Sequence, residues 1–465
     1  MSHKVWFVGA IGLVALVACE SSDDGDSPGG HAGRGGSSGA SGAAGSSGKA
    51  GSANAGSSSG GAPGTGGSAG AAGNAANGGS PRGEAGESSG GAAAGAPSGD
   101  GGTGEGGVGG DGGNDDGAPA VAYISTLLRK LLVASLDPVT GAPSLLPSSP
   151  IELDSFVNGV AVSPNRRFVF VPVEPARIDT FPIQADGSLP EEPTSSVEVE
   201  DDSAILSLAL DPLGRFAYGV IPFSQAIHVF KVDATTGALT PSGEPLVVGP
   251  EPGHRRPAFL APDPSGRFVY VTQLNDGAPA ADNGIRIYGV DPTSGELTEL
   301  ESSPVNAGNV TAGAIVFRPD GKFLFSAGGG VNAFAIDQET GALDLVEGSP
   351  FSQDVQSDPW APNITMDPRG KRLYVSNFVQ TQNITGFDID ATTGALQKLP
   401  GEPVKTAAPY SIALGPGGRF LYVGDDTSEL SVFSVSSATG ALTKLAGSPF
   451  AFGGLEADIA FVTLP

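Results

Sequence analysis

Cysteine occurs once in 465 residues, at position 19, and histidine only four times, with just His228 and His254 lying beyond residue 118. A single thiol excludes an intrachain disulfide, and the missing Cys and His clusters leave no ligand set for zinc. Beyond residue 118 there is no His-x-x-x-His and no Gly-x-Ser-x-Gly, so metallohydrolases and serine hydrolases built on those motifs lack their residues. Basic residues are scarce too, with 24 Lys and Arg against 50 Asp and Glu. Positions 1 to 118 hold 4 basic and 11 acidic residues, which leaves 20 against 39, a net −19, on the remainder. A domain this acidic repels polyanions and is a poor binder of nucleic acid or an anionic bilayer. Its charge serves solvation first and attraction of cations or basic surfaces second.

Long apolar runs are absent except for residues 5 to 18, preceded by Lys4. That stretch is too short to span a bilayer and has the length of a signal-peptide core. It ends in Leu16-Val-Ala-Cys19, which resembles the lipobox of bacterial lipoproteins. Residues 1 to 18 are therefore expected to be removed and Cys19 to carry the lipid, giving a stable anchor to the cell envelope outside the cytoplasm. Glu20 is not the aspartate associated with inner-membrane retention, so the outer membrane is expected in a Gram-negative host. Residues 19 to 118 are almost all Gly, Ala and Ser, with too little apolar surface to offset ordering entropy, and are expected to form a disordered linker. At this length its span is on the order of 50 to 60 Å.

From residue 119 the chain is punctuated by a repeated phrase, Asp-x-x-(Thr/Ser)-Gly-(Ala/Glu)-Leu and relaxed forms, with glycines at 141, 187, 237, 295, 341, 394 and 440. Between these copies runs a second phrase, Asp-Pro-x-Gly-Arg-Phe, as at Asp211 to Phe216 and Asp263 to Phe268. Asp-Pro-Ser-Gly suits a type I turn between antiparallel strands, and the glycine of the first phrase supplies a positive φ in a hairpin. Repeats of about 50 residues with two turn signals and several β-rich runs predict a propeller of seven blades. The second strands, such as Arg419-Phe-Leu-Tyr-Val423, are apolar throughout, whereas third strands such as Leu430-Ser-Val-Phe-Ser-Val435 are expected to alternate. The domain begins mid-repeat at residue 119, and a strand from Asp458 to Thr463 stands alone at the C-terminus. The last blade is therefore expected to take its inner strand from the C-terminus and three outer strands from the start of the domain.

The residues Asp263-Pro-Ser-Gly-Arg-Phe-Val-Tyr-Val271, Asp367-Pro-Arg-Gly-Lys-Arg-Leu-Tyr-Val-Ser-Asn377 and Asp390-Ala-Thr-Thr-Gly-Ala-Leu396 resemble the YVTN-type repeats of the lactonase family of seven-bladed propellers. That family includes 6-phosphogluconolactonase and carboxymuconate cycloisomerase. The resemblance implies an all-β fold, no cofactor, and a lactone as substrate. It also implies a catalytic set with more than one His on the loops entering the inner strands, plus an Arg and a Glu. Here no His-x-His precedes any inner strand, and only His254 stands on such a loop.

In a propeller, the loops entering the inner strands and those joining second to third strands crowd one mouth of the central channel. Glu251-Pro-Gly-His-Arg-Arg-Pro257 sets His254, Arg255 and Arg256 there, a base beside two cations, as lactone hydrolysis requires for water activation and oxyanion stabilisation. Candidate ligand-binding residues on the same mouth are Glu174, Asn275, Asp276, Trp360, Tyr410 and Asp425, with Phe156, Asn158, Asp201, Asp202, Asp358, Asp426 and Glu456 nearby. The loop from Gln273 to Asn283 is long enough to act as a partial lid. Asp276, Asp282 and Asn283 lack EF-hand spacing, and no metal site is expected.

Two functions follow from the residues. The preferred reading is a recognition module on the envelope, binding a small-molecule lactone, a glycan or an envelope protein, as a monomer that meets the membrane only through its lipid. The alternative is hydrolysis of sugar or sugar-acid lactones with His254 as general base.

Overall fold

The computed structural model describes residues 117 to 464, apart from 202, 249–254, 276–283, 307–312, 329, 352–362, 378–380, 426–428 and 454–455. All seven sheets are antiparallel, six of them with strands in sequence order, and their inner strands are Ala161–Val162, Ser207–Leu210, Arg255–Pro262, Ile315–Phe317, Ile364–Met366, Pro409–Leu414 and Glu456–Thr463. Consecutive inner strands touch, and the last touches the first, so the ring is closed. We number the blades one to seven in that order.

Blade seven takes its inner strand from the C-terminus and its other strands from Ala120–Thr126, Lys130–Leu136 and Pro143–Leu145. Ala120 pairs with Thr463 and Ser125 with Asp458, which leaves no unpaired edge at the seam. Second strands are buried along their whole length, as Phe168–Val173 and Phe216–Ile221 are. The expected alternation of third strands holds in part along Ile227 to Val232, where His228 and Lys231 are more open than Ile227, Val229 and Phe230. In blade six it fails, since Leu430, Ser431, Val432 and Phe433 are all buried and burial relaxes only at the strand ends, at Glu429, Ser434 and Val435. A polar residue in the middle of that strand therefore faces protein and not water.

The two repeated phrases turn out to meet each other across blade boundaries. The arginine before the aromatic donates to turn carbonyls of the next blade's hairpin, Arg167 to Ala234 and Thr235 (3.0 and 3.1 Å) and Arg419 to Pro138 (3.1 Å), and in blade five Arg372, standing at the aromatic's own position, donates to Ser436, Ser437 and Ala438 (3.2, 3.1 and 3.0 Å). The following aromatic lies under the hairpin glycine. At Gly237, Gly295 and Gly341, all at positive φ, an added Cβ would fall 2.6, 2.5 and 2.6 Å from the rings of Phe168, Phe216 and Phe268. Two residues on, a tyrosine donates to that glycine's carbonyl, as Tyr270 to Gly341 (2.8 Å) and Tyr374 to Gly440 (2.8 Å). Tyr422 to Gly141 (2.9 Å) makes the same contact across the closure between blades six and seven. Arginine, aromatic ring and tyrosine thus clasp hairpins to the blade before them, with Phe170 and Phe325 at the tyrosine's position in blades one and four and Arg372 at the ring's in blade five, which is why the phrases recur in register.

A third repeat escaped the sequence reading. After the outer strands, Ser149, Ser303, Ser349 and Ser448 each precede a proline, and their Oγ atoms accept the backbone N–H of Val133, Ile287, Ala333 and Val432 at 2.9 to 3.1 Å. Each ties the returning chain to the third strand of its own blade.

Candidate functional site

The clasps and Asp-Pro turns occupy one face of the ring, so the opposite face, with the loops entering the inner strands, is free for chemistry. The first-blade segment before Ala161 is zipped to the end of the second strand. Val157 bridges Val173, the Asn158 N–H donates to the Pro172 carbonyl (3.2 Å), and the Glu174 N–H donates to the Phe156 carbonyl (2.9 Å). This backbone pairing sets Asn158 beside Glu174, with Asn158 Nδ2 3.4 Å from Glu174 Oε1. Burial raises the Glu174 carboxyl above its ordinary range, and the Asn158 hydrogen bond offsets this in part. Asn158 is itself 3% exposed, and its Oδ1 has no hydrogen-bond partner.

Blade seven contributes from the other side. Arg129, at φ 62° in the turn between second and third strands, stacks over the Phe156 ring with Cζ 4.6 Å from the centroid. On the inner strand, Asp458 is half-buried; its Oδ1 accepts the N–H of Ile459 (2.8 Å) and its Oδ2 that of Val160 from blade one (3.3 Å). Burial pushes its carboxyl up to about 6 against the pull of those two amides. Neither Asp458 nor Arg129 was among the sequence-derived candidates, although both stand on mouth segments of that reading.

The remaining candidates spread around the ring. Tyr410 is buried beside Ala408, with Leu127 of blade seven packed against both. Asp425 is buried, accepts the Glu429 N–H (3.2 Å), and lies opposite Pro409, the residue before Tyr410. Asp425, Tyr410, Leu127, Arg129, Phe156, Asn158 and Glu174 therefore form one arc over blades six, seven and one. In blade three, Arg255 is paired in register with Asn275, and Arg256 stacks over Phe223 of blade two at 4.7 Å. Gln273 nearby is buried, with neither amide atom hydrogen-bonded. His254, Asp276 and Trp360 lie outside the described residues, as do Asp202, Asp358 and Asp426. His228, on the third strand of blade two, lies 6.5 Å from Phe230 ring to ring, and burial lowers its pKa, so it carries little charge at neutral pH.

Chemically, the arc offers Glu174, an amide and a guanidinium, and the adjoining inner strand adds Asp458, the two carboxyls Glu174 and Asp458 being held less acidic than usual. Such a set suits proton transfer next to a polar, oxygen-rich ligand.

The comparisons with known proteins agree with this architecture. The family model described as lactonase, 7-bladed beta-propeller, matches residues 157–351 and 314–451, more than half of the chain. The 6-phosphogluconolactonase of Bacillus subtilis is 25% identical over 272 residues, covering 55% of this chain and 71% of the relative. That of Pectobacterium carotovorum is 27% identical over 283 residues, covering 58% and 74%. Among solved structures, the periplasmic gluconolactonase of Pseudomonas aeruginosa superposes with a TM-score of 0.60 at 20% identity, covering 75% of this chain and all of the other.

Proposed function

The chain belongs to the lactonase family of seven-bladed β-propellers, and from that premise we propose that it hydrolyses lactones of sugar acids at the channel mouth. The observation that carries the reading is the seam of blades seven and one, where Glu174 and Asp458 are held less acidic than free carboxylates, with Asn158 on Glu174 and Arg129 over Phe156. Hydrolysis needs a group that accepts a proton from water near neutral pH and donors for the oxyanion. Family membership moves the preference from recognition without chemistry to hydrolysis. His254, on the entering loop of blade three, is kept as a second candidate base because it is the single histidine on such a loop.

Two features favour an unphosphorylated substrate over the phosphorylated lactone in the relatives' names. The net −19 beyond residue 118 disfavours a multiply charged anion. The leader and Cys19 support an anchored protein outside the cytoplasm, a location for which the fold's periplasmic gluconolactonase offers a parallel.

The full chain carrying Cys19→Ser serves as the test protein. Without the thiol that accepts lipid it is expected as an unprocessed or soluble exported form, and it should open glucono- or galactonolactones well above the spontaneous rate. Unchanged membrane retention of the variant together with an unchanged mature mass would overturn the anchoring proposal. No turnover across a panel of phosphorylated and unphosphorylated lactones, together with saturable binding of a sugar, would return the protein to the recognition reading.

A further inference from the structure

At the mouth end of blade seven the pairing of inner and second strand breaks register. Ser125 pairs with Asp458 but Thr126 pairs with Glu456, so residue 457 is an extra residue on the inner strand. A bulge of this kind re-aims the side chains beside it and is common next to active sites. Directly paired residues project from the same face of a sheet, so the Ser125 hydroxyl and the Asp458 carboxylate share the face that meets blade one. Further down, that face is apolar, with Tyr123, Ala460, Val121 and Val462 packed into the first-blade core. Ser125 is 0% exposed, and its Oγ has no hydrogen-bond partner. Asn158 Oδ1, on the segment whose Val160 N–H holds Asp458, is likewise buried and unpartnered. Buried polar atoms are normally satisfied, so two such atoms on the segments that flank the Asp458 carboxylate point to a small polar ligand there.

Resting on the lactonase reading, we propose that Asp458 is the catalytic base, taking the proton from a water held by Ser125 and Asn158 as that water attacks the lactone carbonyl. The water oxygen forms the new C–O bond while its proton passes to Asp458, leaving a tetrahedral oxyanion. Collapse of that oxyanion breaks the ring C–O bond, and the departing alkoxide takes the proton back from Asp458. The net change is one lactone plus one water to one hydroxy acid. A carboxyl titrating at about 6 is ionised at neutral pH yet basic enough for this exchange. The two amides from Val160 and Ile459 fix its orientation without neutralising it. The other titratable groups on the elements around it are Glu174 of blade one, Tyr410 and Asp425 of blade six, Tyr123 and Arg129 of blade seven's outer strands, and Glu456 on its own strand. Burial and the two amides are what set the Asp458 carboxyl.

The test compares wild type, Asp458→Asn and His254→Ala as full chains on a lactone that wild type opens. Asp458→Asn should lower kcat by about 100-fold or more while KM moves within about threefold. In wild type, kcat/KM should rise with pH through about 6, and that limb should persist in His254→Ala and vanish in Asp458→Asn. Should the asparagine protein fail to fold, the profiles of wild type and His254→Ala still decide. A limb missing from wild type, or lost with His254, overturns the proposal. Turnover indifferent to Asp458→Asn overturns it too while leaving the lactonase reading in place. If wild type opens no lactone, both fall together.

Discussion

Asp458 is held by hydrogen bonds from residues on both chain flanks of the ring, one from its neighbour Ile459 and one from Val160, 298 positions away. Its carboxyl titrates at about 6 in the fold, above the ordinary 3.8. An acid whose folded pKa is raised adds stability while protonated. That contribution is complete below about 3.8, declines as pH rises, and is lost above about 6. Asp458→Asn removes the titration, so the Tm difference, wild type minus variant, should fall as pH rises from 4 to 7. At pH 7 the variant should melt no lower than wild type, the pattern of a group kept for chemistry at the expense of stability. A difference that stays flat over this range contradicts the burial argument. Little of this was legible in the sequence, where Asp458 reads as the first residue of an apolar strand. Its chemistry depends on an amide from the other end of the domain. Glu174 and Asn158 were visible as mouth positions because local pairing of residues 156 to 158 with 172 to 174 sets them there.

Strands and hairpins were far more legible than side-chain chemistry. The Asp-Pro turns and Thr-Gly-Ala-Leu hairpins carry backbone requirements written in residue type: Asp263 accepts three backbone N–H groups at 2.8 to 3.0 Å, and Gly341 sits at φ 76°. What the sequence did not reveal is that the two phrases are halves of one inter-blade clasp, since the partners lie about 70 residues apart, as in Tyr270 to Gly341. The alternation expected of third strands failed in blade six for a related reason, because both faces of its middle residues, Leu430 to Phe433, are buried. Gly341→Ala tests the clasp. Its Cβ would meet the Phe268 ring at 2.6 Å from a backbone conformation that L-residues resist, so the domain should lose about 1 to 3 kcal/mol. A chemical melt within about 0.5 kcal/mol of wild type would mean the ring moves aside and the clasp contributes little.

At the scale of the whole molecule, a ring of seven clasped blades leaves its chemistry to the face where the clasps are absent. Repeats specify blades but not ligands, so the count of seven and the closure by both chain ends followed from sequence, whereas the arc over blades six, seven and one needed the ring assembled. The seam where the chain ends meet is also where Arg129 of blade seven lies over Phe156 of blade one and Asp458 accepts the Val160 N–H, next to the segment that carries Asn158. The central claim is that this seam holds the reacting lactone. A crystal structure of the Asp458→Asn protein with a lactone or its aldonate product bound tests it most directly. The carboxylate or lactone carbonyl should lie within hydrogen-bond distance of residue 458, Asn158 and Ser125, with Arg129 over the sugar oxygens. Density for the ligand centred instead on the blade-three loop around Arg255 and Arg256, with the seam occupied by protein contacts alone, would contradict it.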